Sequence, residues 1–188
     1  MNSYTIDLGK ISEEKFMTIC QKNPDVKFEL NQKGELIIMS PTGGETGKRN
    51  AKINSRFVVW NEQTNLGEVF DSSTCFKLPN GAIRSPDVSW ITKERWENLT
   101  SEERAKFPPL APDFVLELMS PSDNLKDTQN KLQEYLETGV RLGWLINPKT
   151  RQVEIYRPGK TKEILDSPST LSGEDVLPGF MLELGNIW

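Results

Sequence analysis

From Ser12 to Lys22 the apolar residues Phe16, Ile19 and Cys20 recur at helical spacing, which predicts a short amphipathic helix. Two strand-like runs follow, Lys27 to Leu30 and Glu35 to Met39, around Asn31-Gln32-Lys33-Gly34, whose glycine suits a hairpin turn. Turn formers after Pro41 give way to Ile53, Phe57 and Trp60 at i, i+4 and i+7, one face of a first long helix. Three strand candidates come next, Gly67 to Phe70, Cys75 to Leu78 and Ile83 to Ile91, broken at Asp71-Ser72-Ser73 and at the hairpin signal Asn80-Gly81. Residues 91–112 are charged and end in prolines, so a surface insertion is expected there. Asp113 to Ser120 then reads as an almost continuous apolar strand, the pattern of a strand covered on both faces, with Glu117 as its interruption. Ser120-Pro121-Ser122-Asp123 predicts a helix entry, with Ser120 as cap, and Gly139 a stop after about Thr138. Leu142 to Ile146 and Val153 to Tyr156 form a strand–turn–strand unit, and the tail with Gly173, Pro178 and Gly179 adds short strands. The order predicts a mixed α/β (α+β) fold with helices packed on a central sheet.

The bulk numbers narrow the chemistry. At 188 residues the chain suits one domain with a substantial core, so a single domain over residues 1–188 is expected. There is no long apolar run and no basic-then-apolar segment at Met1, which predicts a soluble, cytoplasmic protein without a membrane partner. Cys20 and Cys75 lack the number and spacing of a disulfide framework or metal knuckle. The net charge of −4 argues against a surface that coats nucleic acid through many phosphate contacts, so any such contact is local. The sequence contains no histidine, which removes Ser-His-Asp and Cys-His hydrolases, HExxH metalloenzymes and nucleases with a histidine base. Carboxylates, lysines and a hard metal ion remain for hydrolytic chemistry.

Glu117 is where that chemistry would sit. An ionised carboxylate in an apolar strand is costly to bury alone and needs a partner, either a basic side chain or a cation shared with another acid. Asp87, in Ser85-Pro86-Asp87-Val88-Ser89-Trp90-Ile91, opens a second strand-like segment. Read alone, Pro-Asp is an ordinary turn, but two acids on adjacent strands can converge on Mg2+, which takes oxygen ligands and often only one or two protein carboxylates.

The strings Ser85-Pro86-Asp87-Val88-Ser89-Trp90 and Pro112 to Asp123, then Lys131, Tyr135, Gly139-Val140 and Trp144 to Pro148, resemble the restriction-endonuclease-like nucleases of the PD-(D/E)XK motif, and within them the bacterial Uma family. Similarity reaches back to Met39-Ser40-Pro41-Thr42-Gly43-Gly44-Glu45 and so covers most of the chain. The resemblance implies a restriction-endonuclease-like central mixed β-sheet flanked by helices. It also implies Mg2+-dependent hydrolysis of DNA, with Mn2+ as substitute, the ion held by Asp87, Glu117 and the backbone carbonyl of Leu118. The motif's lysine would stand two residues after Glu117, on the same strand face, but that position is Met119. Resemblance to the Uma family moves the lysine to the following helix, with Lys131 first and Lys126 second as candidates to stabilise charge on the nucleophile or phosphorus. A solvated helix lysine fits the same position.

Nucleases of this fold often add an acid from the first core helix, which makes Glu45 a further candidate, although an acid in a first turn also simply suits the helix dipole. Lys48, Lys52 and Arg56 form a stripe that either meets phosphate or faces water, and Arg84 is a phosphate contact or an ion-pair partner. Tyr135 and Trp144 read as core aromatics and Asp123 as a cap. Cutting two strands with one site per chain implies a homodimer. Two other readings stand beside the nuclease: a nuclease-derived nucleic-acid-binding or protein-interaction domain without turnover, which Met119 favours, and a purely structural network of the acids with an arginine.

Overall fold

The computed structural model describes residues 3–6 and 8–188; Met1, where no export signal is expected, lies outside them. The chain opens with β1 (Ser3–Ile6), α1 (Glu13–Lys22), whose first turn is capped by Ser12, and the hairpin β2 (Lys27–Leu30) and β3 (Leu36–Met39). In the hairpin turn Asn31 Oδ1 accepts from the N–H groups of Lys33 and Glu35, and Gly34 takes the left-handed φ of 80° that its lack of a Cβ permits. The long helix α2 (Gly44–Thr64) buries Ile53, Phe57 and Trp60, the face expected from their spacing. β4 (Gly67–Asp71) and β5 (Phe76–Lys77) follow.

The apolar run expected as one strand from Ile83 to Ile91 is two: β6 (Ile83–Arg84) and β7 (Val88–Thr92). Pro86 has no N–H to give a ladder, so the pairing breaks there and Ser85-Pro86-Asp87 becomes the joint between two sheets. The charged stretch forms α3 (Lys93–Glu97) and α4 (Ser101–Ala105), and it is not all surface as expected. Trp96 meets the Phe70 ring edge-on at 5.1 Å and Ala111 is buried, because a short charged helix can still turn one apolar side inward. After β8 (Phe114–Leu118), the next helix α5 (Leu125–Glu137) starts later than expected. Asn124, not Ser120, caps it by accepting from the N–H groups of Lys126 and Asp127, while Asp123 closes a preceding turn through the N–H of Ser120. Then come β9 (Leu142–Asn147), β10 (Gln152–Tyr156), β11 (Glu163–Asp166), β12 (Thr170–Ser172) and β13 (Met181–Glu183).

Among the described residues the strands form a five-stranded sheet ordered β1-β3-β2-β6-β5, a six-stranded sheet ordered β11-β10-β9-β8-β7-β4, and the pair β12-β13. In the larger sheet β8 and β9 run parallel and their neighbours antiparallel. A parallel pair needs a crossover, and α5 is that crossover, laid on one face. Alternation along β8 sorts its side chains: Phe114, Leu116 and Leu118 pack toward α2, and Val115 and Met119 toward Leu132 and Tyr135 of α5. Each such large side chain removed from water contributes about 1.5–3 kcal/mol, so both faces of β8 are strongly anchored. Gly143 lets α5 settle closely, since a Cβ there would stand 2.8 Å from Leu132 Cδ1. No helix among the described residues is long and apolar enough to cross a membrane.

Candidate metal centre

The register between β7 and β8 pairs Val88 with Leu116 and Ser89 with Val115, and one step further it sets Asp87 opposite Glu117. Residues so opposed lie about 4.5–5.5 Å apart at Cβ. Glu117 alternates with Val115 and Met119 and therefore lies under α5; both acids are buried, 6% exposed for Asp87 and 8% for Glu117. Asp87 Oδ2 accepts the N–H of Leu118 at 2.8 Å, so the backbone of β8 aims this carboxylate. Glu117 Oε1 accepts the Tyr135 hydroxyl at 3.2 Å and stands 2.8 Å from Lys131 Nζ. The second oxygens, Asp87 Oδ1 and Glu117 Oε2, have no hydrogen-bond partner among the described residues. Both acids line a cavity of about 660 Å³ that Leu118, Lys131, Glu29 and Arg84 also line.

Lys131 does not serve Glu117 alone. Its ammonium also lies 2.9 Å from Glu29 Oε1, and Arg84 bridges Glu29 (3.1 Å) and Glu134 (2.5 Å). Glu29 additionally accepts the N–H of Ser85 at 2.9 Å. Three buried acids, Glu29, Glu117 and Glu134, thus share Lys131 and Arg84, and the sharing is unequal. Burial works against ionisation of Glu29, but Lys131 and Arg84 beside it and the Ser85 N–H bring its carboxyl down to about 2. Burial pushes Glu117 up to about 7 despite Lys131, with the charges of Asp87 and Glu29 adding to the rise. Asp87 is also raised by burial, which the Leu118 N–H only partly offsets. Burial also disfavours the Lys131 ammonium, yet Glu117 and Glu29 together hold its pKa above the ordinary lysine value.

Of the residues singled out in the sequence, Asp87, Glu117, Leu118 and Lys131 meet at this cavity, and Glu45 does not. Glu45 is exposed on the first turn of α2, paired with Lys48 at 2.9 Å and reached by Arg49 at 4.0 Å, beside a separate hollow of about 130 Å³. Lys126 is exposed on α5. In the basic stripe Lys48 is taken by Glu45 and Lys52 donates to the Asn186 carbonyl, leaving Arg56 exposed. Arg84 is an ion-pair partner of Glu29 and Glu134, and neither Asp87 nor Glu117 is locked to a guanidinium among the described residues. Asp113 is spent structurally on Arg95 and on the N–H of Thr92. Glu29 and Glu134 gave no signal in the sequence: Glu29 alternates with Phe28 and Leu30, the pattern of a hairpin with one side in water.

No cluster of three or more acid, cysteine or histidine side chains able to hold an ion occurs among the described residues, and Asp87 and Glu117 face each other as a pair. The residues present fit such an ion. The donors are all oxygens, on Asp87 and Glu117, with Leu118 lining the same cavity, and the four buried acids Asp87, Glu117, Glu29 and Glu134 outnumber the paired cations Lys131 and Arg84. That set suits a hard divalent cation that keeps several waters, such as Mg2+ or Mn2+, and disfavours softer metals.

A model of the Uma2 family, described as "Putative restriction endonuclease", matches residues 13–185. Among solved structures the chain is similar to a "putative nuclease belonging to DUF820" from Anabaena variabilis, with 20% identity and a TM-score of 0.78 over 94% of this chain and 97% of that one. At that identity the likeness shows a shared fold, a mixed sheet flanked by helices. No curated protein matches the sequence.

Proposed function

The chain belongs to the Uma2 family, and from that membership we propose that it is a Mg2+-dependent endonuclease hydrolysing phosphodiester bonds of DNA. The family and the fold support a nuclease function. The observation that carries the finer reading is the facing of Asp87 and Glu117 across β7 and β8 with Lys131 Nζ 2.8 Å from Glu117. Asp87, Glu117 and the Leu118 carbonyl would hold the ion. When bound, it would polarise a phosphoryl oxygen and acidify a water. Asp87 is held in place by the Leu118 N–H, and Glu117 by the Tyr135 hydroxyl. Lys131 stands where Met119 leaves the strand without a cation, and its ammonium stabilises negative charge developing at the attacking oxygen and at phosphorus. In the reaction the water oxygen bonds to phosphorus and one P–O ester bond breaks. One water proton passes to the departing sugar oxygen and the other to solvent. Two copies of the chain would cut both strands of a duplex.

The test is titration of Mg2+ and Mn2+ by calorimetry into wild type and Asp87→Ala, alongside cleavage of plasmid DNA with and without chelator. The expected result is one ion site lost in Asp87→Ala and cleavage abolished by both changes. Ion binding without cleavage of any DNA supports the turnover-free binding domain instead; absence of acid-dependent ion binding ends the metal reading.

A further inference from the structure

Glu29 is the least exposed acid of the cluster, at 2%, and it comes from the smaller sheet, not from the strands that carry Asp87 and Glu117. Phe28 and Leu30 turn into the core with α1, so alternation along β2 sends Glu29 to the other face, toward the cavity. Both of its oxygens are occupied: Oε1 by Lys131 Nζ and the Ser85 N–H, each at 2.9 Å, and Oε2 by Arg84 Nη1 at 3.1 Å. A carboxylate already answered by two cations and an amide is poorly suited to take a metal. It is well suited to hold other groups still.

Two of the groups it holds bear on the reaction. Lys131 has a long flexible stem beside a roomy polar cavity, and Glu117 and Glu29 share its ammonium. If Glu117 turns its charge to a cation, Glu29 is the anion that remains to keep Lys131 over the site. Ser85 lies two residues before Asp87, at the joint between the sheets, so the bond from its N–H pins the segment that presents that acid. Resting on the nuclease reading given above, we propose that Glu29 is a positioning residue for both Lys131 and Asp87, which sets the rate of the chemical step without touching metal or substrate.

Glu29→Gln tests it, because the amide keeps an acceptor for Ser85 and Arg84 keeps Glu134 as its partner. Three readouts are taken at a temperature where thermal unfolding shows the variant folded: Mg2+ affinity by calorimetry, kcat and KM for plasmid and single-stranded DNA, and the side-chain ammonium signal of Lys131 in 15N-lysine-labelled protein. The expected result is a loss of about 100-fold in kcat, the scale of a small misplacement of a catalytic group. KM and Mg2+ affinity should change less than about threefold, and the Lys131 ammonium signal, slowly exchanging in wild type, should broaden beyond detection. A variant that cuts at the wild-type rate with an unaltered Lys131 signal overturns the positioning role alone. A loss of kcat matched by an equal loss of Mg2+ affinity overturns it too, by making Glu29 a ligand. Wild type that binds no divalent ion and cuts neither DNA sinks the nuclease reading and the role with it.

Discussion

Burial pushes the Glu117 carboxyl up to about 7 from 4.5, while Lys131, Arg84 and the Ser85 N–H bring Glu29 down to about 2 from the same starting value. The two acids therefore pull stability in opposite directions along the pH axis. Between pH 4.5 and 7 the folded metal-free protein keeps the Glu117 proton that the unfolded chain has released, so stability falls as pH rises, by roughly 3 kcal/mol across the window. Glu29 contributes stability that is present above 4.5 and lost as pH falls toward 2. With chelator present, the midpoint of thermal unfolding should drop between pH 5 and pH 8. Glu117→Gln should flatten that drop, and Mg2+ should raise the midpoint more at pH 8 than at pH 5.5, where proton and cation compete for Glu117. An equal Mg2+ effect at both pH values would remove Glu117 from the ion's ligands.

At the scale of the element, β8 shows how one strand serves two purposes. Its alternation sends Phe114, Leu116 and Leu118 to α2 and leaves Val115, Glu117 and Met119 for α5. Met119 stands where the motif's lysine would be, yet it is 8% exposed and packed with Leu132 and Tyr135, so the strand position is core. The ammonium that stands beside Glu117 belongs to Lys131 of α5. Met119→Leu should therefore cost less than about 1.5 kcal/mol in urea unfolding and leave DNA cleavage unchanged, since it conserves volume and touches no charge. A large loss of cleavage without a loss of stability would give Met119 a role in the site. The strand run from Ile83 to Ile91 makes the complementary point: Pro86 splits it, and Asp87 just after the split lines the cavity.

At the scale of the whole molecule, the ion cluster is the seam between the two larger sheets. Glu29 and Arg84 belong to the five-stranded sheet, Glu117 to the six-stranded one, and Lys131 and Glu134 to α5. Removing Arg84 leaves Glu134 without its ion-pair partner and Glu29 with Lys131 alone. Arg84→Met should cost about 3–5 kcal/mol, the usual penalty for breaking one side of a buried pair. Measured by urea unfolding followed through tryptophan fluorescence and far-UV dichroism, it should lower the midpoint of one transition seen alike by both probes. Two separated transitions would contradict a single domain over residues 1–188 and the seam's part in uniting it.

The amino-acid sequence by itself determined the elements with strong periodicity: the face of α2 at Ile53, Phe57 and Trp60, the all-buried β8, and the stop of α5 near Gly139. It also narrowed the chemical alphabet, because a chain without histidine lacks the commonest general base and metal ligand. Those signals are local, being spacing, composition and turn chemistry within a few residues. The start of α5 differs from that expectation because Asn124 accepts from the N–H groups of Lys126 and Asp127, while Ser120 belongs to the turn before it. Only the tertiary structure decided that Glu29 belongs with Lys131, 102 residues away, and that Arg84 serves Glu29 and Glu134, with no guanidinium among the described residues paired to Asp87 or Glu117. Electrostatic pairing depends on distance through space and on exclusion of water, and a hairpin acid facing solvent has the same sequence pattern as one facing a buried ammonium.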